Sequence, residues 1–292
     1  MALLLSGAFA IFQSITGHFL PHDVRALGMD AGGLARASTP NLVRFMFHDR
    51  VAFGGTLMTI GIAYWWLAEF PLRAGDAWAW WTLALSGGCG FASFLAYLGY
   101  GYLDTGHGLA TLLLLPVYLA GMWRAQRLMA HPLRLSSIWV TPDHSGQAWS
   151  RMGRTLLLIC GFGLAGAGLT ILVVGMTFVF VPQDIAFIGL SREALRAISP
   201  ALVPLIAHDR AGFGGGLLST GLLLLLMMRH APVTRSLVEV VALMGLCGFG
   251  AALGVHFAVG YTDSFHLSPA YAGCLLFAAG VILLATGHRA ER

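Results

Sequence analysis

The chain has 292 residues, 57% hydrophobic and 10% charged, with a mean hydropathy of +0.76. A soluble domain of this size carries about a quarter charged residues, so composition excludes an ordinary soluble enzyme and points to a polytopic membrane protein. The net charge of +4 comes from 17 arginines and no lysine, which fall in loops beside apolar runs and so are no footprint for nucleic acid.

Apolar runs of 18 or more residues recur along the chain, long enough to cross a hydrocarbon core of roughly 30 Å as helices. The first, MALLLSGAFAIFQSITGHFL, lacks a basic flank and a small-residue cleavage site, and it reads as a retained span rather than a signal peptide. Spans are predicted at 2–20, 45–68, 77–102 and 106–123, then at 155–181, 203–228, 236–261 and 268–287. Segments 21–44 and 182–202 are too polar to span. Within the latter, SREALRAISP predicts a short surface helix with Ser191 as N-cap and Glu193 behind it. Cys89, Cys160, Cys247 and Cys274 all lie in apolar runs and read as small packing residues, not a disulfide framework.

The sequence is one unit written twice. FLPHDVRALGM at 19–29 answers FVPQDIAFIGL at 180–190, and HDRVAFGG at 48–55 answers HDRAGFGG at 208–215. GGCGFASF at 87–94 answers GLCGFGAA at 245–252, and LDTGH at 103–107 answers TDSFH at 262–266. Offsets between 158 and 161 hold these four blocks in register, the mark of an internal duplication in parallel orientation. The expected fold is therefore an all-α polytopic membrane protein of eight transmembrane helices. It comprises a first four-helix repeat (1–123), a cytoplasmic linker (124–153) and a second repeat (154–292), related by a pseudo-two-fold axis along the membrane normal.

Eight spans fix which loops share a side. Ten of the 17 arginines (Arg73, Arg124, Arg127, Arg134, Arg151, Arg154, Arg229, Arg235, Arg289 and Arg292) fall on the side of Met1. Positive charge inside makes that side cytoplasmic, with both termini there, in a cell (inner) membrane. All repeated polar motifs then lie on the opposite side, toward the periplasm or exterior. His18, His131, His144, His230 and His288 lie outside those motifs, and the last four read as surface residues in basic loops.

Ionisable groups at membrane depth mark functional sites by default. Asp104 and Asp263 each precede an apolar run and can cap the helix that follows. Asp49 and Arg50 can tie helices together as ion pairs, and the glycines of FGG allow close helix packing rather than cradling a phosphate. The repeated histidines point to more. His107 and His266, in the first turn of a helix whose positive end disfavours imidazolium, keep a neutral nitrogen free for a metal. The candidate metal ligands are His22, His48, Asp104, His107, His208, His256, Asp263 and His266, a two-histidine, one-carboxylate chemistry suited to iron, zinc, manganese or copper. His48 and Asp49 point about 100° apart on a helix, so Asp49 is expected to support a ligand or to meet an arginine from another segment. Asp49, Arg50, Asp209 and Arg210 are the candidate catalytic charges. The halves diverge where His22 becomes Gln183 and Tyr97 becomes His256, the latter predicted to share a helix face with Asp263 seven residues on.

The layout resembles that of heme A synthase, two four-helix halves with a histidine in the second and fourth helix of each. His48, His107, His208 and His266 fall in comparable places, which implies heme as an alternative cofactor. The chain departs from that family in lacking its Glu-x-x-His-Arg signature, with Asp following His instead. The expected function is a membrane metalloprotein, an oxidoreductase or metal-dependent hydrolase acting on a lipophilic small molecule in the bilayer. A heme-carrying or heme-modifying protein and a proton- or cation-coupled transporter are the alternatives.

Overall fold

The computed structural model describes residues 1–95, 105–129, 132–140 and 147–290, with the side chains at 94, 95, 105–107 and 110 outside that description. The described residues form helices and connections without a strand. Eight long helices cover the eight predicted apolar runs: α1 (Ala2–Ile15), α4 (Pro40–Leu67), α5 (Ala77–Leu95), α6 (Thr105–Gln126), α7 (Ala148–Met176), α10 (Leu202–His230), α11 (Arg235–Val259) and α12 (Ser264–Ala290). Four seven-residue helices occupy the two polar segments: α2 (Pro21–Leu27), α3 (Ala31–Ala37), α8 (Pro182–Ile188) and α9 (Arg192–Ile198). Among the described residues, five helices are long and apolar enough to cross a membrane: α4 with its π-helical last turn to Leu72, α7, α10, α11 and α12.

Local chemistry explains the short helices. α2 and α8 each begin with Pro at the first position, where no amide hydrogen is needed. Each has an aspartate at the third position reaching back to accept from the amide before the helix: Leu20 N donates to Asp23 at 3.2 Å and Val181 N to Asp184 at 2.7 Å. Both end on a left-handed glycine, Gly28 and Gly189. Asp30 caps α3, and Ser191 caps α9 as its sequence predicts, accepting from Ala194 N at 3.2 Å.

Burial places α4 and α10 at the centre: 72% of the most apolar stretch of α10 and 61% of that of α4 are buried, against 22% for α7, α11 and α12. α1 packs on α4 and α7 on α10, while α11 crosses to α4 and α5 to α10, so the third long helix of each sequence half lies against the second of the other. The FGG glycines make both contacts. A Cβ on Gly54 would stand 2.8 Å from the Gly7 carbonyl oxygen of α1, and one on Gly55 would stand 2.8 Å from the Cys247 carbonyl oxygen of α11. Gly214 meets Gly168 of α7, and Gly215 meets Ser93 of α5, in the same way. These small residues let backbones approach where lipid provides no hydrophobic drive between helices.

α4 and α10 begin before the predicted boundaries, at Pro40 and Leu202, so the HDR triplets sit about two turns or more inside their helices. An apolar layer covers them. Leu27, Leu34, Ile188 and Leu195 from the short helices bury against Leu42, Phe45, Met46, Leu202, Leu205 and Ile206 from the first turns of α4 and α10. Thr39 donates to the Ile188 carbonyl at 2.8 Å and Asn41 to the Phe187 carbonyl at 2.9 Å, so the start of α4 satisfies the end of α8. Those early turns read as too polar to span because they pack under protein and not against lipid.

The opposite end holds a second correction. His230 is buried, not a surface residue: its Nε2 donates to the Ile138 carbonyl at 3.0 Å and its ring stacks on Trp78. Arg154 donates to the Met228 and Ala231 carbonyls, satisfying the free end of α10. His131 and His144 lie outside the described residues, and His288 is half-buried.

Candidate metal centre

α4 and α10 carry a reciprocal charge clasp. Arg210 Nε meets Asp49 Oδ2 at 3.3 Å, and Arg50 Nε meets Asp209 Oδ2 at 3.3 Å. Each arginine also holds the aspartate that caps the short helix of its own half: Arg50 Nη2 to Asp23 Oδ2 at 2.5 Å, and Arg210 Nη1 to Asp184 Oδ2 at 2.7 Å. The expected tie between helices exists and its partners are crossed: Asp49 meets an arginine from another segment, Arg210, as its helix position predicts, and Asp209 meets Arg50. Three buried carboxylates and the half-buried Asp209 thus surround two guanidinium groups. Arg210 Nη1 also donates to the Val179 carbonyl at 2.9 Å, and Val179, buried, adopts φ +67° to present it. A β-branched residue in this region costs about 1–2 kcal/mol.

Beside the clasp, His48 of α4, His256 of α11 and His266 of α12 come together, each offering a ring nitrogen within 4.8 Å of the others. His48 and His256 are buried and His266 half-buried. His48 Nδ1 stands 3.0 Å from Asp49 Oδ1, whose other oxygen accepts from Arg210. His256 Nδ1 stands 2.6 Å from the Ala252 carbonyl oxygen one turn back. A carboxylate and a carbonyl only accept, so both Nδ1 atoms carry the hydrogen. The two Nε2 atoms face one another at 2.9 Å, so at most one of them carries a hydrogen. A contact of this kind is satisfied by one proton shared between the rings, or by a metal ion set to the side of the pair and bound by both nitrogens.

Tyr261, in the turn from α11 to α12, stacks on His266 with centroids 4.5 Å apart and on Phe187 at 4.6 Å. Its hydroxyl donates to Asp184 Oδ1 at 2.8 Å. Burial first, and then the neighbouring Asp184 carboxylate, hold its phenol above the ordinary tyrosine range. Sequence reasoning passed over this residue. The signal was there in GYLDTGH at 101–107 and GYTDSFH at 260–266, where the Gly-Tyr pair repeats with the Asp and His. Gly260 supplies the left-handed turn (φ +78°) that ends α11.

The other predicted residues divide. Asp263 does not share a helix face with His256, because α11 ends at Val259; its Oδ1 accepts from His266 N at 2.7 Å as the cap of α12, and it lies outside the histidine trio. His22 stands 3.4 Å from Asp23, and buried His208 stands 3.9 Å from Asp209, both apart from the trio. Asp104 and the side chain of His107 lie outside the described residues, so the partners found for His48 both come from the second half. No family profile, curated protein or solved structure matches the chain.

Proposed function

We propose that this protein is an integral membrane metalloprotein that binds one transition-metal ion through His48, His256 and His266, and that it works as a metal-dependent oxidoreductase or hydrolase on a lipophilic substrate. The observation that carries the reading is the convergence of three imidazoles, with the Nε2 atoms of His48 and His256 facing one another at 2.9 Å and each ring oriented by an acceptor at its Nδ1. Metal–nitrogen bonds of about 2.0–2.1 Å set the ligands of a tetrahedral ion roughly 3.3 Å apart, so the pair comes within a few tenths of an ångström of fitting one ion and His266, within 4.8 Å of both, closes in to complete the set. Carboxylate and carbonyl partners behind ligating imidazoles are the usual way such rings are oriented. A divalent ion also offsets the excess of carboxylates over guanidinium groups in the adjoining clasp, whose charges are costly to bury without compensation.

An imidazole set suits zinc, copper or iron. Three nitrogen ligands leave a coordination position open, the arrangement of catalytic rather than structural zinc sites. The bound metal would supply Lewis acidity or redox capacity there. Asp49 holds the tautomer of His48, Arg210 holds Asp49, and the apolar layer over the site keeps bulk water away. Three imidazoles converging on one point favour a single ion over heme at His48.

The eight long helices are proposed to lie across a cell membrane as two parallel repeats with both termini cytoplasmic and the metal site toward the outer face. α1, only about 21 Å long at 1.5 Å per residue, belongs to this set because it lies antiparallel along α4, with Leu4 at Gly61 and Gly7 at Gly54. The crossed clasp and the exchanged α5 and α11 contacts support a two-fold relation between halves. Metal analysis and an absorption spectrum of the protein purified in detergent test the function. The expected result is one iron, zinc or copper per chain, lost in His256→Ala, with no Soret band. A Soret band moves the reading to heme, and a metal-free, colourless protein that takes up no added metal overturns it in favour of a proton or ion carrier.

A further inference from the structure

We infer that Tyr261 is a positioning residue for the metal site, one that couples the orientation of His266 to that of His48; this rests on the metal reading above. Tyr261 lies between the two ligands in a closed circuit. Its ring stacks on His266, and its hydroxyl donates to Asp184. Asp184 pairs with Arg210, Arg210 with Asp49, and Asp49 accepts from Nδ1 of His48. His48 and His266 arrive from different helices, α4 and α12, with no hydrogen bond between them to set their relative angle. The circuit supplies that constraint.

Tyr261 is itself fixed at every edge. It is 2% exposed, Phe187 closes the face opposite His266, and Asp184 takes its hydroxyl. Asp184 is in turn fully buried and anchored by the Val181 amide as well as by Arg210. A ring held by two stacking partners and one directed hydrogen bond cannot slide, so the imidazole lying on it keeps its plane. Loss of the hydroxyl alone frees the ring to shift and leaves an Asp184 oxygen without its donor, while the bulk of the site is conserved.

The test is cobalt(II) titration of the metal-stripped, full-length protein in detergent, followed by visible absorption, which reports both affinity and ligand geometry. Tyr261→Phe is expected to weaken cobalt binding by about 10–100-fold, the range for outer-layer partners of metal ligands, and to shift the cobalt bands. Tyr261→Leu, which also removes the stack, is expected to weaken it further. Melting temperatures measured without metal report folding, and a purely structural tyrosine would lower them while leaving the bands of whatever cobalt is bound in place. Wild-type affinity and an unshifted spectrum in both variants, with His266→Ala losing cobalt, overturn the positioning role and leave the metal site standing. A wild-type protein that binds no cobalt overturns both readings together.

Discussion

His48 and His208 stand at matching places in two copies of one sequence, each buried and each followed by an Asp-Arg pair that reaches across to the other helix. Around His48 the second half supplies His256 and His266. The position matching His256 in the first half is Tyr97, so a copy of the trio around His208 would lack one imidazole. The clasp and the histidine trio are therefore separable: helix pairing uses the charges twice, and among the described residues the three imidazoles come together once.

The largest expected effect tests that separation directly. His48→Ala is expected to abolish stoichiometric metal, measured by elemental analysis after purification, whereas His208→Ala retains one ion per chain. Equal loss in both would mean that two sites work as a unit, and the asymmetry would have to be abandoned.

The clasp should respond the opposite way, symmetrically in stability and asymmetrically in metal. Arg210→Met strands Asp49 and Asp184 without their guanidinium, and Arg50→Met strands Asp209 and Asp23. Breaking a buried pair by removing one partner costs about 3–5 kcal/mol, and both variants are expected to lose stability on that scale in detergent unfolding assays. Only Arg210→Met should also weaken metal binding, because Asp49 is the acceptor behind His48. A stability loss in one variant alone would show that the two bridges are not equivalent.

Much of this was legible in the sequence because duplication marks what is kept: the HDR triplets, the paired glycines, the capping aspartates and the repeated histidines all came from comparing the copies. Which histidine meets which was not legible. α11 and α5 exchange partners between halves, and one-dimensional periodicity carries no information about which half a helix packs against. Helix order alone sets His48 beside His107 of its own half, whose side chain lies outside the described residues, and gives no sign of His256 and His266 from the other half. Tyr261 escaped notice because an aromatic beside a turn is ordinary; its role arises from Asp184, 77 residues away. His230 looked like a surface residue because it follows Arg229, but the polar linker folds back and its Ile138 carbonyl covers that ring.

The smallest effect concerns Asp263, where a ligand role and a capping role give different signatures. As a cap, Asp263 stabilises α12 by accepting the amide of His266, and it is exposed. Removal of such a cap costs about 0.5–2 kcal/mol, so Asp263→Ala should lower stability by that amount while Asp263→Ser, which can still accept the amide, should lose less. Metal content should be unchanged in Asp263→Ser, because the carboxylate is not needed once three nitrogens hold the ion. In Asp263→Ala the freed first turn of α12 carries His266 with it, so a modest fall in affinity without loss of stoichiometry is expected. Complete loss of metal in the serine variant would instead make the carboxylate a ligand and move the centre outward, toward the turn between α11 and α12.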